Sequence, residues 1–322
     1  MPNPPASKIN SKLKPLPPIT AKSAGFAIAV GALSAVLLAI PLSISHPLLA
    51  ALLEKTAFSQ YFQDHGMGGP RLMVWSWQHN DDLSYLDISK AGIAYLVGQY
   101  TITGDDVVFE RNLSRIKTPE DIYRVAAVRL EVKQLDKSKI EALADNLSGK
   151  IVASALDNPK KISALQIDFD ARESDRKFYS ILLRRVRAKL PSSVKLSITA
   201  LASWCLGDNW LTGSHLPVDE VVPMLFSLGL GHRQVTQCLT RNTTLSPKLF
   251  AGRLAPGLSI NEPNFFALLS DRIPQYKRLY VFSSHGWSRP TLQKAQLLLG
   301  QDLTIDKTIS ANTHNQSVEV IK

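Results

Sequence analysis

Asp168 and Asp170 stand one residue apart at the end of an apolar run, in ALQIDFDARESDR (Ala164–Arg176). In an extended chain alternate side chains share a face, so both carboxylates point the same way. Burying such groups is costly unless a partner neutralises them or a reaction uses them. Two carboxyls this close titrate as a coupled pair. In the catalytic reading Asp170 is a general acid, and Asp168, deeper in the run, tunes it as a like charge and hydrogen-bond partner. In the structural reading they only accept hydrogen bonds, with Arg172 or a residue of a neighbouring strand as partner. Glu262, in SINEP, is a third candidate. It is either a second catalytic carboxylate facing Asp170 or an acid in the first turn of a helix begun at Pro263. Paired carboxylates about 5–5.5 Å apart suit a retaining glycosidase, and about 6.5–9.5 Å an inverting one.

Other chemistries find little support. There is no G-x-S-x-G, so no serine triad is assigned. The two cysteines, Cys205 and Cys238, lack C-x-x-C spacing, and no acid–histidine pairs have metal spacing. No metal and no cofactor is therefore expected. A Cys205–Cys238 disulfide stays open for an exported domain. His232 and His285 are single histidines. The chain is basic, with 37 Lys and Arg against 27 Asp and Glu, a net charge of +10. Four of the lysines (Lys8, Lys12, Lys14, Lys22) precede the first acid of the chain, Glu54. No zinc finger, phosphate loop or RNA-binding motif accompanies that charge, so no nucleic-acid partner is expected.

The elements that must position these residues repeat one rhythm from Arg71 onward. A short apolar β-branched run is followed by turn residues, then in most cases by a helical stretch. The runs are RLMVWSW, AGIAYLVGQY, IYRVAAVRLEV, KISALQIDFDA, VKLSITALASWC, VDEVVPMLFS, LAPGLSI and KRLYVFSS. Eight such units over residues 71–300 predict a (β/α)8 barrel of the TIM type, with an open doubly wound sheet as the alternative. A barrel places function at the C-terminal strand ends. Those ends carry Trp75 and Trp77, Tyr100, Trp204, Phe226, and His285 with Trp287. Their aromatic faces suit the apolar faces of sugar rings, or else cap the barrel. The basic helix LLRRVRAKL is read as a solvated outer face.

Alternating acids that close strand four, with an aromatic-rich strand eight, resemble the family 18 glycoside hydrolases, the chitinase group. That family ends strand four with D-G-x-D-x-D-x-E, whose final Glu is the general acid. The resemblance places Asp170 on the Glu and Asp168 on the last Asp, with Gln166 and Ser163 at the earlier acids. The family's strand-six M-x-Y-D reads Met224, Leu225, Phe226, Ser227 here, without the Tyr hydroxyl or the Asp. Trp287 corresponds to the closing Trp of strand eight. QIDFDARESDRKFY, LSITALASWCLGDNWL and VDEVVPMLF are also similar to an uncharacterised bacterial family of exported barrel proteins, known only as a domain of unknown function. The resemblances imply a glycoside-hydrolase-like barrel acting on a polysaccharide.

Residues 1–22 are Pro-rich, basic and free of acids, which predicts a disordered leader. The apolar segment over residues 23–45 approaches the ~20 residues needed to span a bilayer. Lysines before it place the leader in the cytoplasm and the rest outside. An uncleaved signal-anchor and a cleaved signal peptide are both open. The first gives a membrane-anchored barrel on the periplasmic side, the second a secreted one. Residues 46–70 read as a linker and 301–322 as a tail. The alternatives to an enzyme are a catalytically inactive, membrane-tethered carbohydrate-binding barrel and an envelope scaffold.

Overall fold

The computed structural model describes residues 67–158, 160–206, 208, 210–213, 216–241 and 253–299. The leader, the apolar segment, nearly all of the linker and the tail expected from the sequence lie outside the described residues. Among the described residues no helix is long and apolar enough to cross a membrane.

Nine strands form one sheet. They are β1 (Leu72–Ser76), β2 (Ala91–Gly104), β3 (Asp106–Arg111), β4 (Arg124–Leu135), β5 (Ala164–Asp168), β6 (Lys195–Leu201), β7 (Glu220–Met224), β8 (Gly257–Ser259) and β9 (Leu279–Phe282). All but β3 run parallel, in chain order, and β1 pairs with both β2 and β9. That double pairing closes the sheet into a barrel and removes the open doubly wound alternative. Each of the eight apolar runs supplies one barrel strand.

The helical layer is incomplete. Helices α1 (Ile140–Leu156), α2 (Arg176–Lys189), α5 (His232–Thr240), α6 (Asn264–Leu269) and α7 (Arg289–Leu299) follow β4, β5, β7, β8 and β9. After β6 come only two short turns of helix, α3 (Ala202–Leu206) and α4 (Trp210–Gly213). Among the described residues no helix follows β1 or β2. Instead β2 runs past the barrel rim and turns at Gly104 into β3, which pairs with it antiparallel. Gly104 has φ 69°, the left-handed conformation a tight hairpin turn needs.

Strand alternation divides the core into two layers. Leu72 and Val74, Leu165 and Ile167, and Leu196 and Ile198 face outward, where α1, α2 and their neighbours cover them. Met73, Trp75, Ala94, Val125, Ala164, Val222, Ala255 and Tyr280 fill the barrel itself. Small residues there make room for two large rings, Trp75 and Tyr280, whose centroids lie 4.9 Å apart. Gly257 is part of this fit, because a Cβ there would stand 2.8 Å from Trp75.

Candidate functional site

The inward rows of β5, β6 and β7 carry polar side chains. Gln166 and Asp168, Ser197 and Thr199, and Glu220 are all buried. A buried polar group must be hydrogen-bonded, and these satisfy one another. Trp75 Nε1 donates to Gln166 Oε1 (2.9 Å), Gln166 Nε2 to Ser197 Oγ (3.1 Å), and Ser197 Oγ to Glu220 Oε1 (3.0 Å). Tyr280 donates to the same Glu220 oxygen (2.7 Å), and Arg278 lies 3.4 Å from the other. Burial pushes the Glu220 carboxyl up, against the pull of Arg278 and the hydrogen bonds. Arg278 also donates to the carbonyls of Gly68 and Pro70, tying the chain before β1 to the barrel. This network is the barrel's floor.

Asp168 sits one layer higher. Thr199 Oγ1 donates to its Oδ1 (2.7 Å) and Arg129 to its Oδ2 (3.1 Å). Burial pushes the Asp168 carboxyl up; Arg129 and Thr199 oppose the shift, and Asp170 adds to it. Asp170 lies two residues on, past the end of β5, and is exposed. Above them opens a cavity of about 1020 Å³. Asp168 and Asp170 line it together with Trp75, Trp77, Phe226 and Phe282. Phe226 and Phe282 stack with centroids 5.2 Å apart and planes at 13°, and Trp75 meets Phe226 edge-on at 6.0 Å. The half-buried Trp77 stands at the end of the same strand.

The cavity also holds residues that the strand-end reading passed over. Arg129 reaches it from the middle of β4, and Glu173 and Arg176 from the turn after β5. Asp208, after α3, pairs with Arg176 through both guanidinium NH groups. The RESDR sequence after Asp170 was the available signal for Glu173 and Arg176, since a loop after a barrel strand lies at the mouth.

Five expected site residues are elsewhere. Glu262 does not line the cavity; its Oε1 accepts the Ser227 backbone N–H (2.8 Å). Ser227 is the one described non-glycine residue with positive φ, at 53°. Glu262 thus holds a left-handed turn at the cavity lip. Trp204 is only 2% exposed, packed edge-on against Trp210 (4.9 Å) with Arg176 over its ring (5.9 Å). Trp287 is also buried: its Nε1 donates to the Trp75 carbonyl (2.6 Å) and its backbone N–H to Asp81 (2.8 Å). Both tryptophans therefore cap the barrel and present no free face. Tyr100 faces the outer layer, stacked on Phe109 (4.5 Å) with its hydroxyl bonded to Lys150 O (2.9 Å), because β2 continues beyond it. His285 is exposed outside the cavity, its Nδ1 3.3 Å from Asn261 Nδ2 and 3.0 Å from Ser284 Oγ. Cys205 and Cys238 are free thiols, and burial pushes Cys205 up to about 12. No cluster of three or more His, Cys, Asp or Glu able to hold a metal ion occurs among the described residues.

Residues 121–228 match the family model described as a domain of unknown function, DUF3142. The matched stretch runs from just before β4 to just after β7. It carries Arg129, Asp168, Asp170, Glu173, Arg176, Asp208 and Phe226. No curated protein matches the chain. Among solved structures it is similar to an endo-beta-N-acetylglucosaminidase from Cordyceps militaris, with 13% identity, 76% of this chain and 95% of that one covered, and a TM-score of 0.38. It is similar to concanavalin B with 12% identity, 72% and 95% covered, and the same TM-score of 0.38.

Proposed function

We propose that the barrel mouth binds a polysaccharide and cleaves it by carboxylate acid catalysis. One observation carries the reading: Asp168 and Asp170 line the same cavity as the aromatic faces of Trp77, Phe226 and Phe282. In this reading Asp170, open to solvent at the mouth, donates a proton to the glycosidic oxygen as the bond to the anomeric carbon breaks. Water adds to that carbon, and its proton restores Asp170. Asp168, held by Thr199 and Arg129, tunes Asp170 from beneath as a like charge and hydrogen-bond partner. Asp170→Asn is expected to lower reducing-end release from a susceptible polysaccharide about 10²-fold or more. Its melting temperature and glycan affinity should stay at wild-type values. Unchanged turnover would remove Asp170 from the mechanism.

A second reading, binding without turnover, is favoured by two features. Phe226 brings no hydroxyl to the cavity, and Gln166, where the resemblance expects an acid, is committed to Trp75 and Ser197. It predicts glycan affinity that falls in Trp77→Ala and no reducing-end release from any envelope glycan. A single released product would overturn it.

A further inference from the structure

The charge of the mouth runs against the charge of the chain. Among the described residues four carboxylates, Asp168, Asp170, Glu173 and Asp208, share the cavity with two guanidiniums, Arg129 and Arg176. Both guanidiniums are engaged, Arg129 with Asp168 and Arg176 with Asp208. Those pairs cancel. Asp170 and Glu173 remain, both exposed, and neither forms an ion pair among the described residues. The cavity therefore carries excess negative charge in a chain of net charge +10. A cleft lined by one sign of charge concentrates ligands of the other sign. Among the described residues the acids do not converge as a metal-ligand set, so a bare divalent ion is a poor occupant. The aromatic faces beside them suit an organic cation, because an ammonium group gains from nearby ring faces.

We infer that the mouth selects a glycan bearing free amino groups, a polymer of unacetylated or partly acetylated amino sugar. Its ammonium groups lie toward Glu173, leaving Asp170 free to carry the proton, and its rings lie against Trp77 and the Phe226–Phe282 stack. Acidic glycans are excluded by like charge. The inference rests on the mouth being a glycan site and adds the substrate class.

Calorimetric titration of the whole chain with a glucosamine oligomer and with the N-acetylglucosamine oligomer of equal length tests it. At low salt the amino oligomer should bind about threefold more tightly, the scale of one partly exposed ion pair. That advantage should shrink at about 0.5 M salt, where the screening length falls to a few ångströms. Glu173→Gln should remove most of the preference. Equal or tighter binding of the N-acetylated oligomer at low salt overturns the inference but leaves a neutral-glycan site standing. So does a preference that Glu173→Gln leaves unchanged. If neither oligomer nor any other polysaccharide binds, the glycan reading itself fails, and this inference with it.

Discussion

Asp168 is the buried carboxylate of the cavity, and its environment makes a pH prediction. Burial raises its carboxyl, so the folded state holds the proton more tightly than the unfolded chain does. The stability from this group is fully present below the unfolded value of ~3.9 and is lost as pH rises through the raised folded value. Asp168→Asn removes that loss while keeping an acceptor for Thr199. The unfolding free energy of the variant relative to wild type should therefore move in its favour as pH rises from ~4 towards neutrality. Urea melts at a series of pH values measure this, and parallel curves for the two proteins would contradict it. Glu262 shows a different residue-scale outcome. SINEP placed a carboxylate correctly at a strand end, but whether it faced a substrate or a backbone N–H depended on Ser227, distant in sequence.

At the scale of elements, the shortest strand controls the largest ring in the barrel. β8 has only three residues, and its first, Gly257, lies against the Trp75 indole. Trp75 cannot simply swing away, since its Nε1 is bonded to Gln166 and the floor network. Gly257→Ala should cost about 1–3 kcal/mol, as overpacking in a filled core does. It should also weaken glycan binding, because Trp75 lines the cavity. Denaturant melts and titrations check both, and wild-type stability would show that the ring shifts freely. The missed element was β3. The expected βα rhythm passed over DVVFER, although Gly104 between two β-branched stretches is a hairpin signal. The two barrel strands that lack a following helix among the described residues, β1 and β2, both precede that stretch of chain.

At the scale of the whole molecule, we propose from the basic leader and the apolar segment of residues 23–45 that the barrel is exported. The full chain is expected in the membrane fraction of its host, and a chain lacking residues 1–45 in the soluble fraction. Recovery of the intact full chain in the cytoplasmic soluble fraction would reject this. A mouth of negative charge on a positive chain also fits an outward-facing domain that gathers cationic polymer, the setting in which the amino-sugar inference would matter.

What the sequence determined by itself was whatever depends on local period. Eight apolar runs became eight parallel strands, and the spacing of Asp168 and Asp170 put them at one end of β5 on the cavity side. Alternation is a property of the extended backbone and needs no neighbours to be read. The tertiary structure decided which strand ends share one cavity. Trp75, Trp77 and Phe226 line it, whereas Trp204 and Trp287 are buried away from it. Arg129 and Arg176 entered the site from positions that read as strand interior and helix start. Those outcomes follow from barrel closure and from loops folding over strand ends, which bring together residues far apart in the chain.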